Sequence, residues 1–365
     1  MPGGWHLVGR TGLALFDPDT EPYALLAPGD KVRFAPSDDQ PPPAAPARPA
    51  LVAAVGAGRR HAVVDEPGLL TTIQDRGRIG VGALGVPRAG AADPDALELA
   101  NRLVGNDPGE AALECTARGP TLVFATGAHV AVVGTAEVDI DGRAVPPDLV
   151  LPVAAGQRLR VGAIAGDLRA YIGIDGGIAT PRLLGSRSSD LLFGLGPGRL
   201  LAGDELALGR PRRPHGRLER RREASGPRLL RVLVGPDPVP AGTIRALMDG
   251  RWTVGEESDR VGLRLQGPAL DGRAPVVASK AMVTGAVQLP PDGAPIVLAC
   301  DHATVGGYPV AAVVVSADRG ELGRCRPGDE VRFEPVDLAE AGRLRDRRRH
   351  RLDRQVVGWF PVRTD

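Results

Sequence analysis

Residues 327–335 read PGDEVRFEP, and residues 28–36 read PGDKVRFAP. Proline fixes φ and glycine readily takes positive φ, so Pro-Gly-Asp indicates a turn. The alternating Val, Arg and Phe that follow indicate a strand with one buried face. Weaker versions of this ending occur at 155–159 and 202–206. We therefore predict that the fold uses one hairpin-like closing element several times, at a spacing too irregular for a solenoid.

The composition favours short strands joined by turns. The chain has 365 residues, 43% of them hydrophobic, with 49 glycines and 35 prolines, which is enough for two or three domains with cores of their own. Asp141-Gly142 is a hairpin turn signal. Asp93 as an N-cap followed by Pro94 predicts one helix over about 94–104. The sequence thus predicts a mainly β protein with a few helices, in which short turns close β-barrels.

Charge and cysteine usage exclude several classes of protein. A net charge of +1 and 3% aromatic residues argue against nucleic acid as a partner. We find neither a signal peptide nor 18 consecutive uncharged apolar residues, so we expect a cytoplasmic protein with no membrane partner. Three cysteines without a CxxC pattern give no disulfide framework and no predicted metal site.

Two stretches divide the chain. The stretch at 37–60 is rich in proline and alanine, and the stretch at 210–227 is dense in arginine and shows no periodic spacing of apolar residues. The basic C-terminal stretch is either a helix or a solvated tail, and charge runs favour the tail. The resulting segments are an N-terminal segment at 1–36 that ends in the first PGD-VRF sequence, a linker at 37–60, a first β block at 61–209, an Arg-rich linker at 210–227, a second β block at 228–335 and a basic tail at 336–365.

Ordered motifs run through both β blocks. They are GLLTTIQDRGR at 68–78, GVP at 85–87, GGI at 176–178, LGSRSSD at 184–190, SDRVGLRL at 258–265, GAVQ at 285–288, PPDG at 290–293 and GGYP at 306–309. Together they resemble the family of 5-oxoprolinase C subunits, which is also called biotin-dependent carboxyltransferase or allophanate hydrolase subunit 2. This resemblance covers 62–335 and implies cyclophilin-like β-barrel domains.

Residues 1–36 resemble a different protein, the C-terminal tail of the 5-oxoprolinase B subunit, which is similar to KipI. Two related barrels would then end in the same hairpin, which accounts for the repeated PGD-VRF sequence. The proline-rich stretch would join the end of one subunit to the whole of the other. On this interpretation, we expect the chain to begin inside a longer B–C fusion.

The resemblance implies an ATP-dependent activity shared among subunits. The A, B and C subunits of 5-oxoprolinase together open the lactam of 5-oxo-L-proline to give L-glutamate, so A-like and B-like partners and Mg²⁺-ATP used by the complex are expected. The chain has no P-loop, and Lys31 and Lys280 lack the Met-Lys context of a biotin acceptor, so no covalent biotin is expected. Two alternatives remain open: the carboxyltransferase component of a biotin-dependent system of the urea carboxylase or allophanate type, and a non-catalytic KipA-like regulator of a KipI-like kinase inhibitor.

Charged residues within the motifs are the candidate site. Phosphorylating a lactam oxygen requires cations for phosphate and a clamp for the substrate carboxylate. The candidate catalytic residues are Asp75, Asp301 and His302, and the candidate substrate-binding residues are Arg76, Arg187, Arg260, Gln288 and Thr304. The alternative is that 74–76 and 258–260 are structural turns and that Arg187 pairs with Asp190. Cys300 is expected to be a buried apolar residue, and GLGPG at 194–198 a turn.

Overall fold

The computed structural model describes residues 9, 11–36, 60–214, 216–218, 226–270 and 277–357. The chain divides into two compact units, Met1–Pro49 and Ala50–Asp365. In the described part of the first unit, Phe16 and Ala24 form a single bridge and no longer strand is present. The predicted linker at 37–60 lies outside the described residues except for Arg60.

The first β block forms two antiparallel sheets around one core. Its strands are β1 (His61–Glu66), β2 (Leu70–Gln74), β3 (Ala112–Thr116), β4 (Thr121–Phe124), β5 (Ala128–Val133), β6 (Ala136–Ile140), β7 (Arg143–Ala144), β8 (Val150–Val153), β9 (Arg158–Ile164), β10 (Arg169–Ile174) and β11 (Glu205–Ala207). The sheet orders are β11-β1-β4-β9-β6-β7 and β2-β3-β10-β5-β8. Val64 and Leu122 from one sheet share a core cluster with Ile73 and Leu113 from the other, so the two sheets enclose a single apolar interior. This two-sheet unit is called the first barrel below, although its two sheets are not joined into one closed sheet.

Helix α1 (Pro94–Leu103) packs on the second of these sheets. The Asp93 carboxylate accepts hydrogen bonds from the backbone N–H groups of Asp95 and Ala96, which satisfies donors that the first helical turn leaves unpaired. Leu97 and Leu103 are buried in a cluster that includes Tyr171. The helix predicted from Asp93 and Pro94 is therefore confirmed.

The second β block forms a closed barrel. The remaining strands are β12 (Arg217–Leu218), β13 (Arg228–Val234), β14 (Trp252–Val254), β15 (Gly262–Gln266), β16 (Lys280–Ala281), β17 (Ala286–Gln288), β18 (Ile296–Leu298), β19 (Val305–Gly306), β20 (Val310–Val314), β21 (Glu330–Pro335) and β22 (Val356–Val357). The barrel order is β13-β20-β17-β18-β15-β14-β21. Helices α2 (Ala241–Asp249) and α3 (Arg319–Arg324) connect its strands. The prediction of a mainly β fold with few helices and β-barrels is confirmed.

The two copies of the PGD-VRF sequence differ in structure. In the second copy, Gly328 has φ +90° and β21 follows with Val331 and Phe333 buried. Because β21 pairs with both β13 and β14, it closes the barrel. In the first copy the turn is present, with Gly29 at φ +98°, but residues 31–36 form no strand and Phe34 is 91% exposed. The strand predicted there was wrong, since no described segment pairs with it.

The C-terminal stretch is also ordered, at least over 338–357. Its charge pattern favoured a solvated tail, but the structure has helix α4 (Leu338–Gln355), capped by Asp337, whose carboxylate accepts from Glu340 N–H. The side chains of Leu344 and Leu352 are buried. After the helix, β22 pairs with β12, which lies inside the predicted Arg-rich linker. The prediction of a solvated tail was wrong because the helix buries two leucines, which a pattern judged on its many charges does not reveal.

Candidate functional site

Arg260 joins the two barrels through a buried set of charges. Its Nε and Nη2 donate to the two carboxylate oxygens of Asp301, at 2.7 and 2.9 Å. Nη2 also donates to Gly90 O at 2.7 Å, and Nη1 donates to the carboxylate of Glu114 on β3. Arg260 and Asp301 belong to the second barrel, whereas Gly90 and Glu114 belong to the first. The two candidate residues Arg260 and Asp301 are thus a planar ion pair at the junction of the barrels.

Glu114 is the acidic centre on the first-barrel side. It is 1% exposed and accepts from Tyr171 OH at 2.6 Å and from Ala92 N–H at 2.9 Å. Arg169 Nε lies 3.2 Å from Glu114 Oε1. Burial alone would raise the pKa of Glu114, but the charges of Arg260 and Arg169 and these hydrogen bonds outweigh burial and lower it. Glu114 is therefore an ionised acceptor that holds the junction together.

Asp75 is held in a cage of hydrogen bonds at the end of β2. Its carboxylate accepts from the hydroxyls of Ser186 and Ser188, both at 2.6 Å, and from the backbone N–H groups of Arg187 at 2.7 Å and Gly77 at 2.8 Å. Burial opposes ionisation, yet these bonds together lower the pKa of Asp75. The carboxylate thus fixes the turn at 186–188. This is a structural role, the alternative to catalysis that the sequence left open for residues 74–76.

A cavity of about 120 Å³ lies between the barrels, beside these two networks. Five arginines line it: Arg76, Arg88, Arg169, Arg260 and Arg319. Its two lining carboxylates are Asp75 and Asp259.

Both of those carboxylates are already committed to backbone groups. Asp259 accepts from Val261 N–H at 2.8 Å and Gly262 N–H at 3.1 Å, so it holds its own turn. Asp75 holds the turn at 186–188. Arg260 and Arg169 are paired with Asp301 and Glu114. The other three lining arginines outnumber the two lining carboxylates, and this small excess of positive charge suits a small anion.

Arg187 lies elsewhere. Its Nε donates to Thr180 O at 2.6 Å and its Nη1 to Glu110 Oε1 at 3.0 Å. The alternative partner, Asp190, instead accepts from the backbone N–H groups of Leu192 and Phe193, at 3.0 Å each. Arg187 does not line the cavity. The structure therefore gives Arg187 a carboxylate partner, but a different one from the sequence-based alternative.

The remaining candidates lie outside the cavity wall. His302 Nδ1 is 2.8 Å from Ala303 O. Burial lowers the pKa of His302, and the charge of Arg319 lowers it further against the effect of that hydrogen bond. Gln288 Nε2 is 3.4 Å from the sulfur of Met282, whose N–H donates to Thr304 O at 2.9 Å. Gln288 and Thr304 thus lie together around Met282, while His302 lies close to Arg319.

Cys300 lines the cavity as a thiol. It is 8% exposed, and burial raises its pKa well above the ordinary range. A nucleophilic cysteine needs a lowered pKa. The expectation of a buried apolar role for Cys300 agrees with this environment.

Sequence reasoning missed four of the charged residues here: Glu114, Arg169, Arg88 and Arg319. Glu114 carried a usable signal, because a carboxylate in the mostly apolar strand ALECT must find a partner when buried. The three arginines carry no such local pattern. They meet only because the two barrels pack against each other.

The comparisons with known proteins agree with this architecture. The family model described as "Carboxyltransferase domain, subdomain A and B" matches residues 84–335. The 5-oxoprolinase C subunit of Escherichia coli (strain K12) is 36% identical over 285 residues, covering 76% of this chain and 92% of that protein. The crystal structure of TTHA0988 aligns with a TM-score of 0.81 at 36% identity, covering 91% of this chain and 67% of that chain.

The structure of a second protein matches as well. The crystal structure of the Kluyveromyces lactis urea carboxylase aligns with a TM-score of 0.75 at 30% identity, covering 81% of this chain and 29% of that chain. The two joined barrels thus define a carboxyltransferase-type protein. The chain belongs to the carboxyltransferase domain family, subdomains A and B, and it is similar to the C subunits of 5-oxoprolinase.

The N-terminal residues match a second family. The model described as "Carboxyltransferase domain, subdomain C and D" matches residues 1–26. The 5-oxoprolinase B subunit of Escherichia coli O157:H7 is 55% identical over 38 residues, which are 10% of this chain and 17% of that protein. The predicted resemblance of this segment to the B subunit is confirmed.

Two features are absent from the ranges that the structure describes. These ranges contain no helix that is both long and apolar enough to cross a membrane. They also contain no group of three or more His, Cys, Asp or Glu side chains arranged to hold a metal ion.

Proposed function

We propose that this chain is a component of a cytoplasmic, ATP-dependent 5-oxoprolinase complex that converts 5-oxo-L-proline to L-glutamate. The observation that carries the proposal is the arginine-lined cavity between the barrels, in a chain that aligns with 92% of a 5-oxoprolinase C subunit. The substrate is a small molecule with one carboxylate and one lactam, and the cavity has the size and charge for such an anion.

The chemistry explains why cations are needed. A lactam is a resonance-stabilised amide, so water attacks it slowly unless its oxygen is first converted to a better electrophile. Phosphorylation of that oxygen does this, and cations then stabilise the phosphate and the oxyanion that develops on attack. Arginine suits both tasks, since its planar guanidinium binds carboxylate and phosphate through two parallel hydrogen bonds.

The residues around the cavity do not fit ATP or Mg²⁺. Its volume of about 120 Å³ is well below the roughly 300–1,000 Å³ of pockets that hold drug-sized ligands, and ATP is a ligand of at least that size. A wider groove of about 400 Å³ shares Asp75 and Arg76 with it, but that groove carries more carboxylates than arginines and would repel a triphosphate. The carboxylates Asp75 and Asp259 are already hydrogen-bonded to backbone or serine groups. We therefore assign ATP to a partner that resembles the A or the B subunit.

Within this chain, Arg260, Asp301 and Glu114 act as positioning residues. Arg260 is held by Asp301 within its own barrel, and its bonds to Glu114 and Gly90 O cross to the other barrel and fix the width of the cavity. Arg76, Arg88 and Arg319 face the cavity and supply the charge that receives the substrate.

Reconstitution tests this function. The purified chain is combined with A-like and B-like 5-oxoprolinase subunits, 5-oxo-L-proline and Mg²⁺-ATP, and glutamate is measured. We expect turnover only in the complete mixture. Glutamate formation by this chain alone, or equal turnover by the partners without it, would contradict the proposal.

A second function is favoured by one observation, the alignment with the urea carboxylase structure. In that case the chain would transfer a carboxyl group from a biotin carried on another protein. The discriminating assay is decarboxylation of free carboxybiotin by the chain with urea as acceptor. Acceptor-dependent loss of carboxybiotin, with no glutamate formed in the reconstituted mixture, would replace the first proposal with the second.

A further inference from the structure

Two arginines meet at the cavity without a carboxylate between them. Arg88 comes from the loop between β2 and α1, and Arg319 begins α3 in the second barrel segment. Neither forms an ion pair with any residue that the structure describes. Arg319 Nε is buried and has no hydrogen-bond partner among the described atoms. Burial lowers the pKa of Arg319, and the neighbouring charges of Arg88 and Arg348 lower it further.

Two other arginines in the same unit are paired with carboxylates. Arg228 lies 3.0 Å from an Asp167 oxygen and 3.2 Å from an Asp329 oxygen. Arg324, five residues after Arg319, lies 2.6 Å from Asp93. A buried charge without a partner costs several kcal/mol. Unlike Arg228 and Arg324, Arg319 has no carboxylate partner among the described residues and lines the cavity together with a second cation, Arg88.

The position of this pair is fixed by close packing. Helix α3 lies against the start of α1, since a Cβ on Gly323 would be only 2.4 Å from the backbone carbon of Ala92. Arg88 Nε in turn donates to Arg76 O at 3.3 Å, which ties its loop to the end of β2. The two arginines thus come from the two β blocks that meet at the cavity.

We propose that Arg88 and Arg319 form a binding site for a small oxyanion, a carboxylate or a phosphate, with Arg76 at its rim. A volume of about 120 Å³ is several times the roughly 10–15 Å³ that one ordered water needs and well below the roughly 300 Å³ of pockets for drug-sized ligands, so it suits a small anion and excludes a nucleotide. The inference deepens the proposed function, because the carboxylate of 5-oxoproline and the phosphate released in its opening share this chemistry. Anion binding is nevertheless a property of this chain alone and is measured without partners.

The test uses thermal melts of the full chain at constant ionic strength set with chloride. Inorganic phosphate and 5-oxo-L-proline are titrated separately, and 5-oxo-L-proline amide serves as the uncharged control. A ligand that binds only the folded state raises its stability by RT ln(1 + [L]/Kd), so an occupied site raises Tm by several degrees. If phosphate raises Tm at the lower concentration, the site binds a phosphate; if 5-oxo-L-proline does, the site binds the substrate carboxylate.

Two variants locate the site. Arg319→Gln removes the partly buried charge, and we expect it to raise Tm in chloride while losing at least tenfold in apparent anion affinity. Arg88→Gln changes an exposed side chain, so the fold is retained, and it is expected to lose affinity to a similar extent. The matched control is Arg345→Gln on α4, an exposed arginine beside Asp346, which should bind as the wild type does.

Two results would overturn the proposal: no stabilisation of the wild type by either anion beyond chloride, or equal responses in the wild type and both cavity variants. Failure of the proposed function looks different. In that case the chain would bind an oxyanion through Arg88 and Arg319, but the reconstituted mixture would make no glutamate.

Discussion

Replacing Arg260 with methionine removes the ion-pair centre between the barrels while keeping most of the side-chain volume. Arg260 makes four hydrogen bonds, two to Asp301, one to Glu114 and one to Gly90 O. The substitution leaves Asp301 and Glu114 buried, at 2% and 1% exposure, and Asp301 loses its salt-bridge partner. Breaking a buried pair in this way costs about 3–5 kcal/mol. At about 2–4 °C per kcal/mol, Tm should fall by about 6–20 °C at neutral pH.

The pH dependence of this loss gives a second test. In the wild type, the pKa of Glu114 is lowered, so its contribution to stability is present above its unfolded pKa and is lost as the pH falls through the folded value. For Asp301, burial raises the pKa and the Arg260 charge opposes that rise. Without Arg260, both carboxyls bind protons more readily in the folded state. The difference in stability between wild type and variant should therefore be largest near about pH 7 and shrink toward about pH 4.

The assay is urea unfolding of both proteins across this pH range, with Arg332→Met as the matched control. Arg332 pairs with Glu330 at 2.7 Å, but both side chains are more than a third exposed, and such pairs contribute about 0–1 kcal/mol. A loss in Arg260→Met no larger than that of the control would refute the reasoning. A gap that widens on acidification would refute it as well.

Three further predictions concern packing, thiols and the N-terminal unit. Gly173→Ala should lower Tm, because its Cβ would lie 2.5 Å from the Ala100 carbonyl oxygen, whereas Gly342→Ala, with nothing within 4 Å on α4, should raise stability by up to about 1 kcal/mol; urea unfolding measures both. Burial raises the pKa of Cys325 to about 12, and all three cysteines are buried, so a thiol-specific dye should label the native chain at about pH 8 far more slowly than the unfolded chain; rapid native labelling would contradict this. Deleting residues 1–49 should leave Tm within a few degrees, as every residue of both barrel cores follows position 60; a much larger fall would show that this segment stabilises the barrels.

Local sequence signals predicted the parts of the fold that depend on neighbouring residues. Asp93 and Pro94 set the start of α1, and Asp141-Gly142, with φ of +51° and +81°, forms the hairpin between β6 and β7. Gly328 likewise turns the chain into β21. Each of these features follows from one or two residues whose backbone preferences or capping groups act over a few positions.

The predictions that failed concern features that depend on partners distant in sequence. The first PGD copy has the same turn as the second but no pairing strand among the residues that the structure describes, so the pattern alone predicted too much. Helix α4 is held by Arg351, which pairs with Asp95 at 2.8 Å, more than 250 positions away. The candidate site shows the same limit: Arg260 and Asp301 were named, but Glu114, which completes their network, lies on the other barrel.

The central claim is that the cavity between the barrels serves the reaction of a multi-subunit 5-oxoprolinase. The most direct measurement is the rate of glutamate formation from 5-oxo-L-proline and ATP by complexes assembled with Arg319→Gln or with the exposed control Arg345→Gln. We predict that the Arg319→Gln complex assembles normally and shows a KM for 5-oxo-L-proline raised at least tenfold, while the control matches the wild type. Equal KM and kcat in the two assembled complexes would contradict the claim.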